Sequence, residues 1–302
     1  MKKGMAGPAG LAILAAVFYA LNAPFSKLLL RDVDPSAMAS LLYLGAGVGM
    51  ALLLPLRRGI SKGGSGLTRA DAPYAVAMVV LDIAAPVLLM NGLTRTSPAS
   101  AALLNNFEIV ATSLIALAVF HERIDRRLWC AIGVVTLASM LLSVEDAQSL
   151  TFSGGSLLVL LACVCWGFEN NCTRMMSHGD PLYIVVIKGL GSGTGAAVVA
   201  WLSGAAMPEG RLIPLAMLLG FVSYGLSVYC YVYAQRSLGA ARTSAYYAIA
   251  PFVGVGISFL MFRDKPGPLF LIALVLMLWG SWLLSVEPGK LRRKKANSVN
   301  PK

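Results

Sequence analysis

Apolar residues gather in about ten runs along the chain, separated by short segments that contain charged residues, glycine or proline. Each run is close to the roughly 20 residues that a helix needs to cross a bilayer. The connections are too short to hold a soluble domain. The pattern predicts an all-α polytopic membrane protein with ten transmembrane helices, near residues 8–30, 36–55, 72–94, 98–120, 128–144, 154–177, 181–203, 212–234, 238–262 and 268–286.

The composition agrees with this pattern, since 57% of the 302 residues are hydrophobic and 13% are charged. The net charge of +11 is unevenly distributed. With a cytoplasmic N-terminus, 18 of the 25 lysines and arginines lie in cytoplasmic segments, as the positive-inside rule requires. We therefore expect both termini in the cytoplasm and a basic tail, residues 289–302, that meets anionic headgroups of the lipid bilayer. No folded basic face supports a nucleic-acid partner.

Two halves of the chain resemble each other at an interval near 146 residues. We predict a first five-helix repeat over residues 1–146 and a second over residues 147–288. Because five is odd, the second repeat must enter the membrane from the opposite side, as in many secondary transporters. Similar apolar composition of the halves is the alternative explanation. The matched residues are Gly45, Gly47 and Gly49 with Gly191, Gly193 and Gly195; Tyr19 with Trp166; Asn22 with Glu169; and Lys27 with Arg174.

Glycine and proline predict how the helices pack and bend. The spaced glycines remove side chains at i and i+4, which lets a neighbouring helix approach closely. Pro24, Pro86 and Pro251 fall inside apolar runs, and we expect each of them to interrupt or kink its helix.

Three acidic residues, Asp82, Glu108 and Glu169, lie deep within predicted helices, where an unpaired carboxylate is costly. Asp82 and Glu108 are at similar helical distances from the turn at Arg95, and so at a similar depth near the midplane. If they face each other, both cannot ionise cheaply, and one of them carries a proton. This arrangement predicts a proton-coupling or cation-binding site. Hydrogen bonding of each acid within the bundle is the alternative.

Glu169 and Lys188 form a second set of intramembrane charges. Both lie roughly 12–14 Å, by helical rise, from the short turn before Pro181. We predict an ion pair between these neighbouring antiparallel helices and favour a structural bridge over direct contact with substrate. A zwitterionic ligand that exchanges partners with the pair is the alternative.

Polar and aromatic residues of other helices complete the candidate site. Asn105, Glu108 and Thr112 share one face of the fourth helix. Aromatic rings with polar tips supply apolar walls that are suited to an organic molecule. The predicted substrate-binding residues are Tyr19, Asn22, Asp82, Asn105, Glu108, Trp166, Glu169, Asn170, Lys188, Tyr224 and Tyr247.

Enzyme signatures are missing from the sequence. The two histidines, His121 and His178, fall in predicted turns and have no metal-ligand spacing. There is no nucleophile elbow and no phosphate-binding loop, so ATP-driven transport by this chain is not supported. We expect no enzymatic activity, no cofactor and no metal site.

Several of these features together resemble the EamA family of the drug/metabolite transporter superfamily. They are the ten helices in two inverted halves, the aromatic-x-x-Asn from Tyr19 to Asn22 with Lys27 beyond it, and the end of the fourth helix at Phe120-His121-Glu122-Arg123. The chain is similar to YddG-type amino-acid exporters, which enclose a central cavity between the halves. It departs from the family pattern in the middle of the fourth helix, where Asn105-Asn106-Phe107-Glu108 replaces the usual proline, and at Arg263-Asp264-Lys265.

The resemblance implies a secondary transporter of the bacterial inner membrane. It would export small organic metabolites, amino acids above all, by alternating access through the central cavity. In this interpretation Glu108, with or without Asp82, binds the substrate ammonium or a proton. Efflux of organic cations is the first alternative and a membrane scaffold without transport is the second. The expected partners are a small-molecule substrate, the lipid bilayer and protons.

Overall fold

Helices account for nearly all regular structure in the part of the chain that the structure describes. This computed structural model describes residues 7–57, 67–120, 126–146, 151–176, 179–206, 208–238, 246–247, 249–263 and 266–285. The histidines His121 and His178 and the basic tail lie outside these residues. The helices of the first half are α1 Pro8–Ala20, α2 Asn22–Leu29, α3 Pro35–Arg57, α4 Ala72–Arg95, α5 Pro98–Leu104, α6 Phe107–Phe120 and α7 Arg126–Ser143.

The second half has the same character. Its helices are α8 Gly154–Met175, α9 Pro181–Leu202, α10 Leu212–Gly220, α11 Ser227–Leu238, α12 Ala250–Phe262 and α13 Pro268–Ser285, with a π-helical segment at Phe221–Leu226 between α10 and α11. A 3₁₀ turn, Arg69–Asp71, precedes α4. Between the halves, two short antiparallel strands, β1 Val144–Asp146 and β2 Thr151–Phe152, pair Val144 with Phe152.

The predicted apolar runs coincide with these helices. Among the described residues, seven helical stretches are long and apolar enough to cross a membrane. Three shorter apolar helices, Trp129–Leu142, Ala250–Phe262 and Pro268–Leu283, lie at the fifth, ninth and tenth predicted runs. The prediction of an all-helical membrane protein is thus confirmed at the level of helices, and the crossing of the membrane by all ten runs stays a prediction.

The helices break at places that only partly follow the prolines. The first run is divided at Leu21, just before Pro24, and α12 begins at Ala250, so that Pro251 lies in its first turn. The expected interruption at Pro86 is wrong, because α4 continues through this residue from Ala72 to Arg95. The fourth run instead breaks at Asn105–Asn106, where there is no proline.

Close backbone approach joins α3 to α9. A Cβ atom placed on Gly47 would lie 2.5 Å from the Leu190 backbone nitrogen, and one on Gly189 would lie 2.4 Å from the Gly47 Cα. No side chain fits at such distances, so the packing role predicted for the spaced glycines is confirmed here. Helix α4 packs against α8, α1 against α11, and α7 against α13.

The exterior of the bundle is apolar. Leu52, Trp201 and Leu260 are 71%, 78% and 82% exposed, and many other large apolar side chains are exposed along the helices. A surface of this kind is costly in water and suits contact with lipid acyl chains. The helices therefore present apolar side chains outwards, whereas Asp82 and Glu169 are buried within the bundle.

Candidate functional site

A lysine and two carboxylates from three helices meet in the interior. The Lys188 Nζ on α9 lies 2.9 Å from Glu169 Oε2 on α8 and 3.2 Å from Asp82 Oδ2 on α4. The predicted ion pair between Glu169 and Lys188 is therefore present, and Asp82 joins it. We call these three residues the charged cluster.

Hydroxyl groups hold the remaining oxygen of each carboxylate. The Tyr43 hydroxyl donates to Asp82 Oδ1 at 2.9 Å, and the Thr173 hydroxyl donates to Glu169 Oε1. Trp166 Nε1 donates in turn to the Tyr43 hydroxyl at 3.3 Å. Tyr43 is not among the residues predicted from the sequence, although a phenol within a glycine-rich apolar helix is a signal that could have indicated it.

The members of the charged cluster differ in their accessibility. The side chains of Asp82 and Glu169 are 0% and 1% exposed, whereas that of Lys188 retains 19%. Two carboxylates at this depth require a cation and further donors to offset the loss of hydration. Each carboxylate oxygen already faces a hydroxyl donor or the Lys188 ammonium. The charged cluster therefore does not need a ligand to balance its charges.

Glu108 is held differently. Asn170 Nδ2 donates to Glu108 Oε1 at 2.7 Å, and to Thr112 Oγ1 at 3.4 Å. Within the described residues, no lysine or arginine lies at ion-pair distance from Glu108, and its second oxygen, Oε2, has no hydrogen-bond partner. The side chain is half-buried.

Asp82 and Glu108 do not face each other, so the condition for a proton shared between them is not met. Asp82 contacts Lys188 and Tyr43, and Glu108 contacts Asn170. Equal depth along two helices does not bring two side chains together, because the rotation of each helix decides which neighbour its side chains face. The stripe of Asn105, Glu108 and Thr112 does share a neighbour, as all three contact side chains of α8.

An aromatic layer lies beside these acids. The ring centroids of Tyr43 and Tyr224 are 5.0 Å apart, those of Tyr19 and Tyr224 are 6.2 Å apart, and those of Tyr19 and Tyr247 are 5.9 Å apart. Asn22 Nδ2 donates to the Tyr224 hydroxyl at 3.0 Å. The layer thus connects Asn22 on α2 to Tyr43, and through it to the charged cluster.

A small recess adjoins this layer at Tyr19. Its cavity volume is about 10 Å³, roughly the space of one water molecule, and it is partly open to the surroundings. The residues around it come from three places in the chain. These are the break between α1 and α2, the break between α5 and α6, and the start of α12. Its lining residues are Tyr19, Ala20, Asn22, Ala23, Ala102, Asn105, Ala250, Pro251 and Gly254.

The predicted site residues therefore fall into three neighbouring groups. Asp82, Glu169 and Lys188 form the charged cluster, with Trp166 bound to it through Tyr43. Glu108 and Asn170 form a second group. The third comprises the aromatic layer and the recess, with Tyr19, Asn22, Asn105, Tyr224 and Tyr247.

Comparison with known proteins identifies the family. The model of the EamA-like transporter family matches residues 8–144 and 153–286, which is nearly the whole chain. The chain belongs to the EamA-like transporter family. It is 22% identical, over 90% of its length and 84% of the relative's, to an uncharacterized transporter of Methanothermobacter thermautotrophicus. It is 24% identical, over 81% of its length and 82% of the relative's, to the uncharacterized transporter YyaM of Bacillus subtilis.

A solved structure shares the fold. One crystal structure superimposes with a TM-score of 0.65 and 18% sequence identity, covering 91% of this chain and 94% of the other. The family and its relatives establish a multi-pass membrane transporter, as expected from the sequence. The amino-acid exporter subtype belongs to the proposal below.

Proposed function

We propose that this protein is a secondary transporter of the bacterial inner membrane that exports amino acids by alternating access between two inverted five-helix halves. Its termini are cytoplasmic, and its ligand binds between the halves at Glu108. The observation that carries the proposal is the Glu108 carboxylate, which is half-buried in the bundle and bound by a neutral amide alone among the described residues. An acid kept in this environment at a cost in stability is typical of a ligand or ion pathway.

Mirrored contacts support the inverted halves. A Cβ on Gly47 would lie 2.5 Å from the Leu190 nitrogen, and one on Gly193 would lie 2.6 Å from the Leu44 nitrogen. Gly47 and Gly193 are 146 residues apart in the sequence, and so are Leu44 and Leu190. A two-fold axis that exchanges the halves turns one of these contacts into the other.

The flanking helices follow the same rule. Helix α3 makes two close contacts with α10 and the π-helical segment, and α9 makes two equivalent contacts with α4. The residues of α4 precede their counterparts in α10 and the π-helical segment by 138 positions in both cases. The family model also matches two segments of similar length. The contacts are Gly45 with Met217, Gly49 with Phe221, Gly191 with Val79, and Gly195 with Ile83.

In the proposed complex, the free Oε2 of Glu108 accepts a hydrogen bond from the ligand ammonium, and a proton takes its place when the ligand leaves. Charge-assisted hydrogen bonds of this kind are about twice as strong as neutral ones. Asn22, Asn105 and Asn170 supply neutral hydrogen bonds, and Trp166, Tyr224 and Tyr247 supply apolar walls. Asp82, Glu169 and Lys188 act as a bridge between helices in this proposal.

Replacement of Glu108 tests the proposal. In proteoliposomes that contain the purified protein, we expect Glu108→Gln to abolish counterflow of radiolabelled amino acids while the thermal unfolding profile stays intact. The matched control is Glu209→Gln, since Glu209 is 68% exposed and pairs with Arg211 at 2.8 Å. Unchanged counterflow in the Glu108 variant would refute the assignment.

Efflux of organic cations is the second candidate, because a carboxylate without a cationic partner also suits a ligand with a single positive charge. Competition separates the two functions: neutral amino acids compete with the labelled substrate in the first case and lipophilic cations in the second. A scaffold without transport predicts a sealed centre, so a cysteine introduced at Asn105 would resist a membrane-impermeant thiol reagent in both vesicle orientations.

A further inference from the structure

We infer that the Tyr19 hydroxyl and the Asn105 amide form a carboxylate subsite, which makes this carrier selective for zwitterions over simple amines. The inference rests on the proposed function, in which Glu108 binds the ligand ammonium. It adds the second half of the recognition, namely the groups that bind the carboxylate of an amino acid whose ammonium binds Glu108.

The first observation is a pair of donors without partners at the recess. Asn105 is 8% exposed and lines the recess, as does Tyr19. Asn105 Oδ1 accepts a long contact from Cys163 Sγ at 3.9 Å, but within the described residues Asn105 Nδ2 and the Tyr19 hydroxyl donate to no acceptor. The Tyr19 side chain is half-buried and both residues line the recess, so these two donors remain available to a ligand there.

The second observation is a pair of acceptors close by. Glu108 Oε2 is free, and so, among the described residues, is Asn170 Oδ1, whose amide nitrogen is bound to Glu108. Glu108 follows Asn105 by three positions across the break, and its backbone nitrogen donates to the Asn105 carbonyl at 3.1 Å, so the two residues are one turn, roughly 5–6 Å, apart. The ammonium and the carboxylate of an α-amino acid are separated by a similar or smaller distance, so one molecule can reach both groups.

The charges of the interior favour an orientation in which the ligand carboxylate faces Tyr19 and Asn105 and not Lys188. Lys188 is the alternative partner for a ligand carboxylate, but its ammonium already lies between Asp82 and Glu169. These two carboxylates would repel a third. The Tyr19 hydroxyl and the Asn105 amide, which line the recess, are neutral and carry no such penalty.

Selectivity follows from the unpaired donors. An amine without a carboxylate would satisfy Glu108 but leave the Tyr19 hydroxyl and the Asn105 amide without acceptors. Sites built to hydrogen-bond a particular group of the substrate reject analogues that lack this group strongly. We therefore expect the wild-type protein to bind an amino acid at least about tenfold more tightly than the corresponding amine.

Matched pairs of ligands test the inference. The probes are phenylalanine with phenethylamine, leucine with 3-methylbutylamine, and alanine with ethylamine. Their binding to the purified protein is measured by thermal shift, and their competition with labelled substrate is measured by counterflow in proteoliposomes. We expect Tyr19→Phe to reduce the preference for the amino acid by about tenfold, which corresponds to the loss of one hydrogen bond to a charged group. Asn105→Asp, which places a negative charge in the subsite, should reverse the preference in favour of the amine.

Two control variants make the result specific. Tyr183→Phe removes an exposed hydroxyl, and Asn91→Asp alters an amide that is bound to the Val87 carbonyl of its own helix. Both should leave the ratio unchanged. Suppose that amino acids bind, but that Tyr19→Phe and Asn105→Asp have the same ratio of amino-acid to amine affinity as the wild type. The carboxylate subsite is then refuted, whereas the proposed transport of amino acids is not. If the wild-type protein prefers the amines in every pair, both are refuted in favour of cation efflux.

Discussion

Glu169 and Asn22 occupy two regions of the bundle that are built alike and differ in charge. The side chains of both are 1% exposed. Each has a hydroxyl residue one turn later that donates to its side-chain oxygen: Thr173 to Glu169, and Ser26 to Asn22 at 3.0 Å. In the proposed repeat these residues are counterparts, since both pairs are 147 positions apart.

The partners brought by other helices are what distinguish the two regions. Glu169 contacts the Lys188 ammonium, which also contacts Asp82, whereas Asn22 donates to the Tyr224 hydroxyl. A buried carboxylate needs a cation to offset its lost hydration, while a buried amide needs only neutral hydrogen bonds. The comparison teaches that a repeated backbone can hold a charged and a neutral site at equivalent places, provided that the neighbouring helices differ.

A change at the contact between α3 and α9 should disturb both regions, because α9 carries Lys188 and α3 carries Tyr43. Gly47→Leu would drive a side chain into the Leu190 backbone, and we expect a loss of about 3 kcal/mol or more in the free energy of unfolding. Chemical unfolding and size-exclusion chromatography in detergent would measure it. Gly133→Leu is the control, since a Cβ there meets nothing within 4 Å. Equal stability of the two variants would contradict the close packing.

Replacement of Lys188 should destabilise the charged cluster and leave the region around Asn22 unaffected. We expect Lys188→Met to lower the free energy of unfolding by about 3–5 kcal/mol, because Asp82 and Glu169 would remain buried without a counter-ion. Chemical unfolding of the variant in detergent measures this loss. The triple variant Asp82→Asn, Glu169→Gln, Lys188→Met should recover most of the stability, as neutral groups of similar shape replace the whole cluster. A triple variant as unstable as the single one would show that packing and not charge explains the loss.

Addition of a charge to the neutral region provides the converse test. Asn22→Asp places a carboxylate where, among the described residues, the neighbouring groups are the hydroxyls of Ser26 and Tyr224. We expect a loss of roughly 3 kcal/mol in the free energy of unfolding, measured as above, since an intramembrane charge without a partner costs about this much. Asn22→Ala, which adds no charge, should cost less. If Asn22→Asp is as stable as the wild type, the region around Asn22 tolerates a buried carboxylate without a cation, and the proposed difference between the two regions is wrong.

The smallest effect should come from the hydroxyls that the regions share. Ser26→Ala removes a hydrogen bond between neutral groups, worth about 1 kcal/mol, and Thr173→Val removes one to a carboxylate, worth about 1.5–3 kcal/mol. Thermal unfolding of the two variants side by side would resolve the difference. A larger loss for Ser26→Ala would reverse the predicted order.

Much of the fold could be predicted from the sequence because it depends on one-dimensional patterns. The apolar runs determine where helices lie, and the glycines of α3 and α9 mark where two backbones approach. The pair of Glu169 and Lys188 was also predictable, since the two residues lie at similar distances from the short connection between their helices. The break at Asn105–Asn106 could not be predicted, because neither residue forbids a helix.

The sequence by itself determined that the chain forms apolar helices of a membrane protein, and it predicted one ion pair that the structure contains. Only the tertiary structure decided which partners these residues meet: Asp82 with Lys188 and Tyr43, Glu108 with Asn170, and Asn22 with Tyr224. The physical reason is that helical rise fixes how deep a side chain lies, whereas the direction in which it points depends on the rotation and packing of every neighbouring helix.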